Sequence, residues 1–471
     1  MQDFYNILPL ILVASGIVIS VVIEILSDNS EKILPWFSAL VLLSASVYSI
    51  MLMNNTGTIF NGMLATGGNV YIFHFIFTIG AMLIILGSID YIKKYGSYFG
   101  EYYILILNAV LGMMIMASAR DLFMVFIGLE LMSICFYVLA GINRKKLNAN
   151  EASLKYVLLG AFASGFVVYG IALIYGTAQT TSIDKIIAGF VPLSHNILFI
   201  TGLFLFLVGF SFKIAAFPFH QWVPDVYQGS ATTISGLMST GGKAAAFSVL
   251  IILLSAVAPS NANVFRPYFA VIATLSMIYG SIVAISQNNL KRMLAYSSIA
   301  HAGYMSIGLA SGNYESIAGI IFYLAAYTFM NIGAFIVISM IEGENDSKLQ
   351  LSDYVGLNAK NPKLAALMAL FMFALSGLPP FAGFFGKYYV FISAIEANLT
   401  WLAIVGVISS VISVYFYLRV IVLMYFKEPE TSVAVHNSNY GVLAAVISAL
   451  FVIVFGLFPG TLLDLITSFL K

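Results

Sequence analysis

The chain has 471 residues, of which 61% are hydrophobic and only 9% charged, with a formal net charge of +1 and a mean hydropathy of +0.98. Ordinary soluble domains carry roughly a quarter charged residues, so a soluble protein of this size could not cover its surface. Disorder, collagen-like repeats and nucleic-acid binding are excluded as well, since no basic run is longer than Arg144–Lys145–Lys146. About 287 apolar residues suit roughly fourteen membrane-spanning helices of about 20 residues each.

Apolar runs bounded by polar, Gly or Pro clusters predict the helices in order. Three, at 6–26, 35–53 and 70–91, make an N-terminal group over 1–100. Five more, at 102–119, 121–142, 152–176, 195–217 and 232–258, fill 101–258. Another five, at 266–286, 293–310, 316–341, 364–396 and 400–426, fill 259–427. The fourteenth, 440–468, closes the chain within 428–471. The expected fold is therefore an all-α polytopic membrane protein. Continuous apolar runs argue against a β-barrel, whose strands would alternate in segments of about ten residues. The N-terminal stretch has no basic flank and no clear small-residue cleavage site, so it reads as a retained first helix. Cys135, the single cysteine, lies inside an apolar helix and reads as a small buried side chain.

Basic residues orient these helices. With the N-terminus outside, the inside loops hold Lys32, Lys93, Lys94, Arg144, Lys145, Lys146, Lys155, Lys291, Arg292, Lys348, Lys360, Lys363 and Lys427. The outside segments hold only Arg120, Lys185, Arg266 and Lys471. The positive-inside rule then places both termini outside, with Lys291 and Arg292 read as topology signals.

Two predicted helices look broken. The seventh runs into FKIAAFPFHQWVPDVYQGS, with Pro218, Pro224 and Gly229; the twelfth carries ALSGLPPFAGFFGKYYVF, with Gly377, Pro379, Pro380, Gly383 and Gly386. Such breaks survive at membrane depth only where protein or water meets the freed backbone groups, and paired breaks point to a transporter built from inverted repeats. Polar residues support the pairing. Glu130 and His301 are 171 residues apart, Lys213 and Lys387 174, and Lys243 and Arg419 176. Five helices separate each pair, which makes predicted helices 4–8 and 9–13 two units of opposite orientation.

Glu130, Lys213, Lys243 and Lys387 all fall in mid-helix apolar sequence. Each such residue costs about 2.5–3.5 kcal/mol at a helix centre, and such groups usually mark ion pathways. The competing reading is a static pair of Glu130 with one lysine. Three lysines facing one central glutamate leave two without an acidic partner, which argues for a pathway. Burial disfavours the charged form of an amine and a nearby carboxylate restores it. A Glu130–Lys213 contact that forms and breaks can therefore switch the lysine between holding and releasing a proton. A three-unit swing corresponds to about 4 kcal/mol, against about 2.3 kcal/mol for moving one charge through 100 mV. His220 and His301 are either relays or histidines satisfied by neighbouring hydroxyls and carbonyls. His74, His195 and His436 read as structural or interfacial, and Arg419 as an interfacial contact. No metal-ligand spacing, Walker loop, Rossmann glycine pattern or Fe–S cysteine set occurs, so the chain is expected to carry no cofactor.

GLELMSICFYVLAG, FSFKIAAFPFHQWVPDVYQGS, LKRMLAYSSIAHAGY and LSGLPPFAGFFGKYYVF together resemble the antiporter-like membrane subunits of complex I, NADH:quinone oxidoreductase. SSIAHAGY and GLPPFAGFFGK resemble the subunit N branch most. Lys387, where the M branch usually has glutamate, argues against M, and no long extension follows helix 14 as in the L branch. The resemblance implies that Glu130, Lys213, Lys243, Lys387, His220 and His301 form a proton relay. It also implies that quinone reduction elsewhere in the complex drives the relay, with FMN and Fe–S clusters in partner subunits. Expected partners are the neighbouring antiporter-like and small membrane subunits and lipids, in the inner (cytoplasmic) membrane of a prokaryote. QGSATTISG departs from the family, which commonly has prolines there. A subunit of a multi-chain cation/proton antiporter or membrane-bound hydrogenase is the second reading, and an inert membrane scaffold the third.

Overall fold

The computed structural model describes residues 2–93, 100–256, 264–343, 347–428 and 438–470; Lys94, His436 and Lys471 lie outside the described residues. The described residues are mainly helical, with a small hairpin of β1 (Gly57–Ile59) and β2 (Leu64–Thr66). Its helices are α1 (Gln2–Asn6), α2 (Leu8–Leu26), α3 (Ser30–Met51), α4 (Gly68–Lys93), α5 (Gly100–Ser118), α6 (Leu122–Ala140) and α7 (Leu147–Ala178). There follow α8 (Ile183–Ala188), α9 (Phe190–Leu193), α10 (Ile197–Lys213), α11 (Trp222–Gly229) and α12 (Thr232–Leu237). A π-helical turn, Met238–Gly242, leads into α13 (Lys243–Ala256). After it come α14 (Arg266–Ile285), α15 (Leu290–Ser311), α16 (Tyr314–Ile341), α17 (Leu357–Lys360) and α18 (Pro362–Ser376). The chain ends with α19 (Ala382–Glu396), α20 (Thr400–Phe426), α21 (Asn439–Leu457) and α22 (Pro459–Ser468).

Among the described residues, eleven helices are long and apolar enough to cross a membrane. Each predicted stretch holds helix where it is described, but three are not single rods. Predicted helix 7 is α10 and α11, helix 12 is α18 and α19, and helix 14 is α21 and α22, parted at Phe458 ahead of Pro459. Proline at the first position of α22 cannot donate back to the preceding turn, which ends α21. Predicted helix 8 holds the π turn that no compositional signal announced.

Side-chain caps set several starts. The Asp121 carboxylate accepts from Phe123 N at 2.8 Å, the Asn289 amide oxygen from Arg292 N at 3.1 Å, and the Asn313 oxygen from Ser316 N at 2.9 Å. At 32 residues α7 is about 48 Å long, more than a bilayer core. The centre belongs to α16, whose apolar window is 100% buried, and to α12–α13 at 94%; α7, α20 and α21 bury only 39% and present apolar side chains outward.

Both breaks are partly covered by protein, with Pro218, Pro379 and Pro380 exposed at the surface of the chain. Between α10 and α11, Phe217 N donates to Ser276 Oγ at 2.9 Å, and Trp222 Nε1 donates to Phe212 O at 3.1 Å. The Phe217–Pro218 and Pro379–Pro380 peptides are cis. Between α18 and α19 the chain turns so tightly that a Cβ on Gly383 would lie 1.9 Å from Ala374 O, and one on Gly456 of α21 2.1 Å from Pro380 O. No side chain can stand at either point without moving backbone.

Gly383→Val is expected to destabilise the protein by about 1–3 kcal/mol, seen as a lower thermal midpoint of the purified protein. Gly165→Ala, where a Cβ would meet nothing within 4 Å, is expected to leave it unchanged.

Candidate functional site

Two polar clusters lie inside the helical core. In the first, Glu130 projects from the middle of α6 and accepts a hydrogen bond from the Ser164 hydroxyl of α7. Lys213, the last residue of α10, is buried and donates to Ser133 Oγ at 2.8 Å and Tyr137 OH at 3.3 Å. Ser133 and Tyr137 follow Glu130 on α6 at roughly one and two turns, so they share its face. Lys213 Nζ also stands 5.5 Å from the Tyr137 ring centre. Ion pairs within 4.0 Å form at Lys93, Lys155 and Arg292. Glu130 and Lys213 are not among them; hydroxyls stand where a static pair would close. The Tyr156 ring stacks on Trp222 at 4.4 Å and meets Tyr137 edge-on at 4.8 Å, which fixes the wall of this cluster.

The second cluster is larger. Lys243, directly after the π turn, is buried and donates to both the carbonyl and the hydroxyl of Ser298 on α15. One turn on, His301 puts Nδ1 2.8 Å from Tyr323 OH of α16 and Nε2 3.0 Å from Tyr417 OH of α20. A neutral imidazole has one donor and one acceptor nitrogen, and each phenol can play either part, so both tautomers are satisfied here. Tyr417 also bonds Ser297. His301 lies within electrostatic reach of both Lys243 and Lys387. Lys387 of α19 donates to Ser376 O and Ser410 Oγ, each at 2.8 Å, with Nζ 5.0 Å from the Tyr304 ring centre. Tyr304 in turn meets His301 edge-on at 5.7 Å.

Of the six residues singled out from sequence, Glu130 and Lys213 thus share one cluster, and Lys243, His301 and Lys387 the other. His220 is not joined to a lysine. It lies in the helix break, stacked on Phe217 at 5.3 Å and beside Tyr279 at 4.6 Å, with Nδ1 buried and without a hydrogen-bond partner. Arg419 reaches Ile285 O at 3.3 Å and Asn288 Oδ1 at 3.1 Å. His74 is structural, its Nε2 3.1 Å from Met114 O and 3.0 Å from Ser118 Oγ.

The reading of Lys291 as a topology signal needs correction. It is fully buried and donates to Ser230 O at 2.6 Å, at the junction of α11 and α12. Buried Glu342, at the end of α16, accepts from Thr232 Oγ1 at 2.7 Å beside it. Sequence reasoning missed both because each lies next to polar residues that resemble loop. An acid ending a 28-residue apolar helix was the available signal for Glu342. Asp225 was missed too; it accepts from Lys155 of α7 at 2.9 Å and Arg292 of α15 at 2.7 Å, tying the broken helix to both neighbours. No group of three or more metal-ligating side chains occurs among the described residues.

This geometry meets its counterparts in known proteins. Residues 119–413 match the family described as NADH:quinone oxidoreductase/Mrp antiporter, TM. The chain belongs to that family. It is 44% identical to NADH-quinone oxidoreductase subunit N 1 of Chloroherpeton thalassium over 98% of both chains. It is 43% identical to subunit N of Trichlorobacter lovleyi over 96% of this chain and 94% of that protein. A chain of respiratory complex I from Thermus thermophilus superposes with a TM-score of 0.84 at 32% identity, covering 97% of this chain and 98% of that one. A chain of the Mrp complex from Dietzia sp. superposes with a TM-score of 0.88 at 18% identity, covering 100% and 97%, and shares the fold. The family match takes in every residue of the two clusters named above, from Glu130 to Ser410, except Tyr417.

Within this antiporter-family core one glycine shapes a lysine directly. Gly377 has φ +84°, and a Cβ there would stand 2.9 Å from Lys387 Cδ and Nζ. Gly377→Ala is expected to cost about 1–2 kcal/mol from the left-handed backbone and to displace the ammonium from Ser376 O. The check is a lowered thermal midpoint together with reduced proton pumping in membrane vesicles.

Proposed function

We propose that this chain is a proton-translocating membrane-arm subunit of NADH:quinone oxidoreductase. It would work beside other antiporter-like and small membrane subunits in the inner membrane of a bacterium. Identities above 40% to two subunit N proteins favour this over the cation/proton antiporter and hydrogenase readings. The chain itself is a translocation unit; FMN, Fe–S clusters and the quinone site belong to partner subunits in this reading.

Fourteen crossings with both termini outside, arranged as two inverted units over predicted helices 4–8 and 9–13, account for the basic-residue asymmetry and the two breaks. In the first unit, Glu130 is the charge that moves. When its carboxylate is ionised, it favours an ammonium at Lys213; when it is neutralised or drawn away, Lys213 keeps only the neutral hydroxyls of Ser133 and Tyr137. In the second unit, Lys243 and Lys387 hold protons at either end of a bridge made by Ser298, His301, Tyr323, Tyr417 and Tyr304. His220, in the break, is a further relay candidate between the two units. The single observation that carries this reading is His301, both of whose ring nitrogens meet phenols between two buried lysines.

In inside-out vesicles oxidising NADH, Glu130→Gln is expected to lower the pumped-proton to quinone-reduction ratio about fivefold or more, with Lys387→Met giving a comparable loss. Wild-type ratios in well-assembled variants would exclude the relay.

A further inference from the structure

The π turn before Lys243 is met by a buried amide that the relay does not yet use. A π turn carries one residue more than an α turn, and that residue rotates everything after it by about 100°. Lys243 is the first residue after the turn, so the turn decides which neighbour its side chain meets. Small residues make the widened turn possible. A Cβ on Gly241 would lie 2.9 Å from Met113 Sδ, and one on Gly242 2.9 Å from the Phe136 ring. Hydroxyls within the turn bind carbonyls of the preceding helix. Ser239 Oγ and Thr240 Oγ1 each donate to Gly236 O at 2.8 Å.

A hydrogen bond from outside reaches the turn. Asn331, fully buried on α16, donates from Nδ2 to Ser239 Oγ at 2.7 Å and to Tyr327 OH at 3.0 Å. The Ser239 proton is committed to Gly236 O, so the amide must donate here, and the Asn331 carbonyl oxygen is left buried without a hydrogen-bond partner. Leucine is close to asparagine in size and would avoid that unmet acceptor, so packing alone does not account for an amide at this place. Tyr323, Tyr327 and Asn331 repeat every fourth residue and share one face of α16. Tyr323 bonds His301, and the Tyr327 ring lies 4.9 Å from the His301 ring. The Tyr327 hydroxyl faces Ser298, the residue that receives Lys243.

We propose that Asn331 is a positioning residue for Lys243: by holding Ser239 it keeps the π turn formed, and so aims the ammonium at Ser298 and the His301 bridge. The inference rests on the relay reading above. It requires Asn331 to act through the geometry of a neighbour, not by carrying a proton.

The test uses the whole assembly in inside-out vesicles, with pumping and quinone reduction recorded across pH. Asn331→Leu is expected to lower the pumping ratio about threefold or more and to move its half-maximal pH by about one unit. Ser239→Ala should do the same, the double variant should be no worse than either, and Thr328→Val, one turn away on α16, should match wild type. A wild-type ratio and pH profile in Asn331→Leu overturns the inference. So does a lowered ratio with an unmoved profile, which would be packing alone. Should Asn331→Leu fail to assemble, Ser239→Ala decides by the same two readouts. Lys243→Met separates the two levels: if it too pumps normally, the relay fails; if it alone abolishes pumping, only the role of Asn331 falls.

Discussion

An ammonium group buried in a membrane protein must find oxygen, and the ends of broken helices can provide it. The last carbonyls of a helix lack partners within it and carry the negative end of its dipole. Lys387 takes Ser376 O at the end of α18, and Lys291 takes Ser230 O at the end of α11. In both cases the interrupted helix leaves the acceptor and the turn that follows gives the lysine room. Helix ends thus solvate Lys387 and Lys291, while Lys213 and Lys243 are met by hydroxyls and a serine carbonyl within neighbouring helices.

This arrangement also explains why neither cluster is locked. A carboxylate in direct contact with each lysine would hold its charge firmly, and breaking a buried pair is costly. Instead Lys213 rests on two hydroxyls and Lys243 on one serine. Hydroxyls accept from an ammonium and can donate to an amine, so they serve both protonation states. The one central acid, Glu130, is held by Ser164 at a remove from Lys213. Charge separation over a short distance, bridged by groups that tolerate either state, is what a reversible step needs.

Much of this was legible beforehand because lipid is a strict solvent. A charged residue inside a long apolar run has few explanations, so Glu130, Lys213, Lys243 and Lys387 stood out unaided, and the prolines and glycines marked both breaks. The π turn did not stand out, because MSTGG has no composition that separates a widened turn from an ordinary one. Lys291 was hidden by its neighbours: in SQNNLKR it reads as loop, and its burial arises only when the α11–α12 junction folds over it. Asn331 sits in an apolar helix without charge and so raised no signal. His220 and His301 looked alike in sequence, and only packing sets one between phenols and the other beside a proline-bearing break.

The burial of α16 on every side has a mechanical meaning. A bilayer that thickens or thins acts on the helices it touches, through tilt and local stretching. Here those are α2, α7, α20 and α21, the least buried spans. The stripe of Tyr323, Tyr327 and Asn331 stands on a post that touches no acyl chain. Changes in lipid length would therefore be absorbed by the outer staves, leaving the spacing along the Tyr323–Tyr327–Asn331 stripe the same from one membrane to another.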